Sequence, residues 1–363
     1  MKKAIKFSIL SSFVFSFLLV AINVQAQNIK ADADNAGLTL PTGFLALKVA
    51  DNLGRTRHIT VNKQGAIYAK LERLDNGKGI LVLKDTDGDG RAETKTSFGN
   101  YIGTGIAIKG NYLYAASNSE IFKYALNAAG DVIDENAGEK LVTGLVDKGQ
   151  HNSKSITLDN AGNIYVNIGA PSNACQEKDR TKGSMGMMPC PILDSAGGIW
   201  QFKVDQLNQT YATGVRYATG LRNVVGLDWN NQLNQLFVAQ HGRDMLNNLF
   251  PDLYDTTASA ELPSETMYAI NKGDNAGWPY IYYDHIKGKK MMAPEYGGDG
   301  KKTVDDKYIN PAMAFPGHMA PNGLVFYTGN QFPARYKNGA FIAFHGSWNR
   351  SPLPQEGYYV VFI

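Results

Sequence analysis

A repeated hairpin pattern is the feature that most restricts how this chain can fold. An apolar run, a turn containing Gly, Asn or Asp, and a second apolar and aromatic run recur in residues 58–71, 105–117, 154–169, 225–242 and 323–346. A further strand-like run follows four of them, in residues 79–85, 120–126, 197–204 and 266–271. Units of three or four short strands that recur along a chain are typical of the blades of a β-propeller.

The sequence therefore predicts an all-β fold. A β-sandwich is the alternative arrangement, but hairpins that repeat one internal design favour a propeller. Two long polar segments, residues 170–196 and 247–264, are expected to be loops inserted between strands. The count of repeated units is five.

The N-terminus has the pattern of an export signal. Three lysines precede a mostly apolar run in residues 7–22, and Val24 and Ala26 give the small-x-small pattern of a cleavage site. The alternative is a membrane anchor, for which the run is short. We expect a signal peptide in residues 1–26, a flexible mature N-terminus in 27–39 and a propeller domain in 40–363. The mature protein is then periplasmic or secreted, with no later membrane span.

The charge of the chain does not indicate a polyanionic partner. The formal net charge is +3. The lysines of the predicted signal account for this excess, so the mature chain is close to neutral. Nucleic-acid binding therefore has no support from the charge.

The two cysteines, Cys175 and Cys190, are close together in the sequence. Outside the cytoplasm such a pair favours a disulfide, and a metal site is the alternative. The chain has no C-x-x-C-H sequence, so covalently attached haem is not expected.

An acidic turn contains alternating carboxylates at Asp85, Asp87 and Asp89, with Gly90 in the sixth position. This spacing is that of the start of a calcium loop, although its twelfth position is Thr96 instead of Glu. The pattern has two interpretations, a structural calcium site and an acidic hairpin turn.

Residues whose side chains can take part in catalysis or binding lie beside the repeated hairpins. His151 precedes the third hairpin, where a neutral imidazole could take a proton from a substrate hydroxyl. A single histidine is more often structural, so its neighbours in space decide its role. The candidates for those neighbours are in residues 220–223, 240–244, 275–279, 318 and 345–350.

The order of these motifs resembles a known family. H-x-S at residues 151–153 is followed by G-L-R-N at 220–223, Q-H-G at 240–242, N-x-G-W-P at 275–279 and F-H-G-S-W-N-R at 344–350. This series is similar to the soluble quinoprotein glucose/sorbosone dehydrogenases, and closer to the sorbosone dehydrogenase branch. The resemblance covers about residue 40 to the C-terminus.

The resemblance implies a six-bladed propeller that binds pyrroloquinoline quinone (PQQ) and Ca²⁺ at the mouth of its channel. The sequence is then expected to end within or after the fifth blade. By the same resemblance His151 is the general base for a sugar hydroxyl. The implied cofactor-binding residues are Arg222, Asn223, Asn173, His345 and Arg350. The backbone carbonyls of Gly242 and Arg243 are the implied calcium ligands.

The chain departs from the family pattern at two positions. Ala170 stands where the glucose dehydrogenases have an Asp that orients the histidine, which predicts a less basic imidazole. Arg243 replaces the proline of the calcium loop and adds a cation near the expected metal.

The leading hypothesis is a PQQ-dependent dehydrogenase for an aldose, a sorbosone-type sugar, or a related aldehyde or alcohol, which passes its electrons to a separate acceptor. Two alternatives are a calcium-dependent lactonase and a catalytically inactive carbohydrate-binding propeller. Trp278 and Trp348 are candidates for stacking on sugar rings.

Overall fold

The computed structural model describes residues 29–304 and 307–363. The predicted signal peptide of residues 1–26 lies outside these ranges, and the predicted domain limits stay predictions. Among the described residues, no helix has the length and apolar character to cross a membrane.

The described residues form mainly short strands. The strands are β1 (Thr56–Val61), β2 (Ile67–Asp75), β3 (Lys78–Lys84), β4 (Thr94–Phe98), β5 (Ile106–Lys109), β6 (Tyr112–Ala116), β7 (Ile121–Ala125), β8 (Glu139–Val142), β9 (Ile156–Leu158), β10 (Asn163–Ile168), β11 (Gly198–Lys203), β12 (Val215–Thr219), β13 (Val224–Asn230), β14 (Gln235–Gln240), β15 (Glu265–Ile270), β16 (Ile281–Asp284), β17 (Lys289–Met292), β18 (Met313–Phe315), β19 (Pro321–Phe326), β20 (Ala340–Phe344) and β21 (Val360–Phe362). The α-helices are α1 (Leu246–Leu249) and α2 (Thr256–Glu261), and 3₁₀ turns occur at Asn35–Gly37, Pro191–Asp194, Pro294–Tyr296 and Ala334–Tyr336.

The strands form five blade-like antiparallel sheets. Four have four strands, in the orders β1-β2-β3-β4, β5-β6-β7-β8, β9-β10-β11-β12 and β13-β14-β15-β18, and the fifth has β19-β20-β21. A separate hairpin, β16-β17, is inserted between β15 and β18. The repeated hairpins of the sequence are the first two strands of each sheet, as predicted. The expected six blades are wrong for the described residues, which form five, because the sixth came from the family resemblance and not from a sixth repeat.

The first strand of each blade lines a central channel. β1 packs beside β5, β5 beside β9, β9 beside β13, and β13 beside β19. The space between them has a volume of about 680 Å³ and is lined by both apolar and polar side chains, including Ile106, Ile156 and Asp228. Since first strands all run in the same sense through a propeller, their leading loops meet at one end of this channel. We call that end the upper mouth.

Apolar side chains between neighbouring blades hold the ring together. Ile121 and Leu141 of the second blade pack with Ile164 and Trp200 of the third, and each is at most 3% exposed. A similar layer joins the third blade to the fourth, where Tyr165 stacks on Trp229. Burial of each such side chain contributes about 1.5–3 kcal/mol, so the blades stabilise one another.

A disulfide ties down the long loop between β10 and β11. Cys175 and Cys190 are bonded to each other, which confirms the predicted disulfide and excludes the metal alternative for this pair. Both cysteines are buried, in a cluster that also contains Ala170 and Trp278. The bond therefore anchors this loop against the upper mouth.

Replacing both cysteines by serine is expected to lower the free energy of unfolding by about 3 kcal/mol, because an untied loop of this length gains entropy when the chain unfolds. Denaturant unfolding with and without a reducing agent checks this. The reductant is expected to destabilise the original protein and to leave the double variant unchanged. Equal unfolding midpoints for all samples would contradict the expectation.

Candidate active site

The upper mouth brings together the candidate residues that the sequence placed beside different hairpins. His151 precedes β9, Arg222 and Asn223 precede β13, and Gly242 and Arg243 follow β14. Since each blade is antiparallel, the start of its first strand and the end of its second strand lie at the same end. The positions that share this end are 151, 173, 222, 223, 242–244, 318 and 345–350.

Asp244 is the centre of the polar contacts at this mouth. Its Oδ2 accepts hydrogen bonds from Arg222 Nη2 at 2.9 Å and Arg180 Nη2 at 3.0 Å. Its Oδ1 accepts one from Asn349 Nδ2 at 3.0 Å and lies 3.6 Å from His318 Nδ1. The carboxylate thus joins the third, fourth and fifth blades.

The guanidinium of Arg222 is buried, and its N–H groups donate hydrogen bonds to other groups of the protein. Its Nε donates to the Asn173 carbonyl, its Nη1 to the Gly242 carbonyl at 2.7 Å, and its Nη2 to both Asn173 Oδ1 and Asp244. Arg222 is 3% exposed and Asn173 is fully buried. The two residues therefore form part of the structural frame of the mouth.

Opposite charges at this mouth lower the pKa of Asp244 and raise the pKa of His318. Burial alone would raise the pKa of the Asp244 carboxyl, but Arg222, His318 and Arg180 outweigh it and hold that pKa well below the usual value. Burial likewise opposes the charged form of His318, yet the Asp244 carboxylate raises the pKa of His318. The Asp244 carboxylate is therefore ionised at neutral pH, where it faces the guanidinium groups of Arg222 and Arg180.

His151 is oriented by a backbone carbonyl. Its Nδ1 lies 2.6 Å from the Ala170 carbonyl oxygen, so Nδ1 carries the proton and Nε2 keeps a free lone pair. The Ala170 N–H in turn donates to the Arg222 carbonyl at 2.8 Å. The backbone at Ala170 thus holds the imidazole in place without the carboxylate that Ala170 lacks.

A glycine makes room for this arrangement. A Cβ added at Gly169 would lie 2.6 Å from both the Cβ and the carbonyl oxygen of His151. His151 itself has a left-handed backbone, with φ of 52°. The close approach of the β10 end to the loop before β9 therefore requires glycine at position 169.

The imidazole of His151 is a weak base in the free protein. Burial lowers the pKa of His151 to about 3, and the positive charge of Arg222 acts in the same direction. The bond to the Ala170 carbonyl opposes this shift but does not overcome it. The ring is therefore neutral at physiological pH, with Nε2 able to accept a proton.

The Gly242 carbonyl, one of the two calcium ligands implied by the resemblance, does not fit a metal as the loop stands. The Gly242 carbonyl accepts a hydrogen bond from the Arg222 guanidinium, so a cation already lies against that oxygen. The side chain of Arg243 points elsewhere and pairs with the buried Glu295, at 2.5 Å from Nη1 to Oε1. Calcium at Gly242 would have to displace Arg222.

The implied cofactor clamp is also engaged in other contacts. Arg350 is 2% exposed, and its guanidinium binds the Ala260 and Gly317 carbonyls and the Glu261 carboxylate. His345 is exposed, and its Nδ1 lies 3.5 Å from the Gly346 carbonyl. A tricarboxylate such as PQQ needs cationic donors that are still unpaired. Arg222 and Arg350 do not fit that requirement.

The acidic turn lies away from this mouth. Oxygens of Asp85, Asp87, Asp89 and Glu93 lie within 4.8 Å of one another, and most of these residues are exposed. The carboxylates also accept hydrogen bonds from backbone N–H groups of their own loop, as Asp85 does from Gly88 and Gly90. The structural calcium site stays a prediction.

The sequence included Asp244 and His318 among the candidate neighbours of His151, but it did not single out Arg180. Asp244 was visible, since it follows the Gly242-Arg243 pair directly. Arg180 lies inside the disulfide loop and His318 precedes β19, and neither has a local motif. Their roles arise only from contacts between blades.

Comparison with solved structures defines the class of the fold. The chain superimposes with a TM-score of 0.67 on the holo form of a pyranose dehydrogenase PQQ domain from Coprinopsis cinerea, at 20% identity over 90% of this chain and 79% of that one. It has the same TM-score with a calcium structure of a family AA12 carbohydrate-active enzyme from Trichoderma reesei, at 18% identity over 87% and 78% of the chains. These likenesses show a shared β-propeller fold.

The chain belongs to the TrAA12-like family, whose sequence profile matches residues 38–363. The resemblance to the PQQ-dependent soluble sugar dehydrogenases is thereby confirmed.

The chain is also similar to proteins of known sequence. An uncharacterised protein of Borreliella burgdorferi is 26% identical over 92% of this chain and 78% of its own length. A pyrroloquinoline quinone-dependent pyranose dehydrogenase of Coprinopsis cinerea is 25% identical over half of this chain, and the match spans about a quarter of that protein.

Asp244→Asn is expected to lower the free energy of unfolding by about 3–5 kcal/mol, since it leaves the buried Arg222 without its anionic partner. Asp51→Asn is the control, because Asp51 forms an ion pair with Lys48 in which both side chains are more than half exposed, so its loss is expected to change the free energy of unfolding little. Thermal and denaturant unfolding of the two variants give the comparison. A similar, small loss in both would show that Asp244 has no special role in the mouth.

Proposed function

We propose that this protein is a PQQ-dependent sugar oxidoreductase in which His151 is the general base. The observation that carries the proposal is the fixed imidazole at the upper mouth, tied through Nδ1 to the Ala170 carbonyl with Nε2 free. Membership of the TrAA12-like family supports the reaction class. The substrate proposed is an aldose, a sorbosone-type sugar or a related aldehyde or alcohol.

The chemistry assigned to the chain itself is proton removal. Oxidation of a sugar hydroxyl releases one proton and one hydride, and Nε2 of His151 takes the proton. PQQ, when bound, supplies the hydride acceptor. The Ala170 carbonyl fixes the tautomer of His151, and the Ala170 N–H is held by its hydrogen bond to the Arg222 backbone carbonyl. The electrons are proposed to pass from PQQ to a separate acceptor.

The low pKa of His151 has a consequence for this role. An imidazole with a pKa of about 3 holds an accepted proton weakly, so it transfers that proton onward readily but removes one slowly. Burial and the Arg222 charge cause this weakness. An anionic group bound at the mouth would offset the positive charge and strengthen the base.

The mature chain is proposed to act outside the cytoplasm, in the periplasm or as a secreted protein. The predicted signal peptide and the Cys175–Cys190 disulfide both support this placement. A structural disulfide of this kind persists in an oxidising compartment.

A specific observation favours a second candidate, a carbohydrate-binding propeller without catalysis. Of the four tryptophans, all of which lie in the described residues, three are buried and Trp348 is 80% exposed. Trp348 adjoins Asn349, which contacts Asp244. An exposed indole beside a polar mouth is suited to stacking on a sugar ring. Sugar binding with no PQQ-dependent oxidation would favour this candidate.

His151→Ala is expected to lower the turnover of sugar by about 100-fold to 10,000-fold, because it removes the base. The measurement is dye-linked sugar oxidation by the protein reconstituted with PQQ and Ca²⁺. His285→Asn is the matched control, since His285 lies beyond β16 and bonds Ser264. No substrate-dependent dye reduction by the unsubstituted protein with any aldose or aldehyde tested would refute the dehydrogenase.

The ratio kcat/KM is expected to show no loss from His151 protonation between about pH 8 and about pH 5. The pKa of His151 is lowered to about 3, so the proton-accepting form persists throughout this interval. An ordinary histidine would lose activity through protonation near its usual pKa. A pH profile of kcat/KM, which reports the groups of the sugar-free enzyme, decides between them, and a fall centred near pH 6.5 would count against the lowered pKa.

A further inference from the structure

A polar cleft lies at the upper mouth. Its volume is about 360 Å³, which is within the range of small-molecule sites. Asn152 and Ser153, which follow His151 directly, form one wall. The remaining lining residues come from the first and second blades and are Arg55, Arg57, Glu72, Arg73, Ile102, Gly103, Thr104 and Asn118.

The cleft carries positive charge that the protein does not neutralise. Arg57 and Arg73 form no ion pair with any described residue. Arg55 lies 3.9 Å from Glu72, but both side chains are at least half exposed, so this contact is weak. The cleft therefore has an excess of guanidinium groups.

The fold directs these groups to one place. Arg57 lies in a break in the pairing register between β1 and β2, between Thr56 and Ile59, and such a bulge changes where a side chain points. Gly103 brings the loop before β5 against the second blade, since a Cβ there would lie 2.2 Å from the Ala116 carbonyl oxygen. The Gly103 N–H also bonds the Leu71 carbonyl of β2 at 3.0 Å.

The other arginines of the mouth are already engaged. Arg222 and Arg180 bind Asp244, Arg243 binds Glu295, and Arg350 binds Glu261. Within residues 29–304 and 307–363, the guanidinium groups at this mouth that are still free to bind an anion are thus those of the cleft. A planar guanidinium is suited to a carboxylate, which it binds through two parallel hydrogen bonds.

We propose that Arg55, Arg57 and Arg73 form a carboxylate-binding subsite for the small molecule that reacts at His151. The inference rests on the proposed function, since it concerns what the same mouth holds. Two sources have this chemistry: a carboxylate of the quinone cofactor, and the carboxylate of an acidic sugar such as a hexuronic acid.

Equilibrium binding to the cofactor-free protein tests the subsite without any turnover. Calorimetric titration at low ionic strength uses three ligands: PQQ, D-glucuronate and, as the neutral counterpart, D-glucose. Arg57→Gln and Arg73→Gln are each expected to weaken binding of the relevant anion by about tenfold. Glucose binding is expected to be unchanged in both variants. Higher salt weakens binding of the anion, because these side chains are solvent-accessible.

Two further variants make the test specific. Glu72→Gln removes the one acid that lines the cleft and is expected to tighten anion binding by a few fold. Arg216→Gln is the matched control, since Arg216 is an exposed arginine on β12 that does not line the cleft, and it is expected to leave binding unchanged. Circular dichroism checks that all variants keep the native fold.

The outcomes distinguish the two sources of the carboxylate, and they distinguish failure of the subsite from failure of the proposed dehydrogenase. Loss confined to PQQ binding assigns the subsite to the cofactor, and loss confined to glucuronate assigns it to the substrate. Binding of both anions that is indifferent to Arg57, Arg73 and Glu72 overturns the proposal. Because the measurement needs no oxidation, a protein that fails to oxidise sugars but binds an anion here would refute the dehydrogenase and leave the subsite standing.

Discussion

The ion pair between Arg222 and Asp244 is the interaction on which the upper mouth depends. The guanidinium is almost fully buried, and a buried cation is tolerated only with an anionic partner and hydrogen bonds for its donors. Asp244 provides the charge, while Asn173 and Gly242 accept the remaining bonds. Through Asp244 the same pair reaches Arg180, His318 and Asn349. A single carboxylate therefore fixes the relative positions of loops from three blades.

Much of the architecture could be predicted because it depends on local patterns. Each hairpin has its own apolar runs and its own turn, so all five could be located from the sequence. The disulfide was predictable for the same reason, since Cys175 and Cys190 bound a single loop. The number of blades was different. The sequence contains five repeats, and six blades were expected only by analogy with relatives.

The site was less predictable, because the chemical state of its residues depends on distant contacts. The sequence placed His151 beside Arg222, but the absence of an acid at Ala170 suggested an imidazole with nothing to orient it. The structure instead uses the backbone carbonyl at Ala170, which no side-chain pattern reveals. For Arg350, the sequence motif predicted a role that the contacts of the side chain do not support. Its motif matched a cofactor clamp, whereas its guanidinium is bound to α2 and the loop before β19. The arginines of the cleft carry no motif at all.

The bonds to Asp244 have a consequence for how the protein acquires its site. Asn173 and Asn349 lie 71 and 105 residues away from Asp244 in the sequence. Contacts that close such long stretches of chain form slowly and after local hairpins, because loop entropy must be lost first. During synthesis, the first three blades can therefore assemble before the contacts that form the mouth exist. The docking of the fifth blade, which brings Asn349 and His318 to Asp244, is the event that turns a row of hairpins into a binding site.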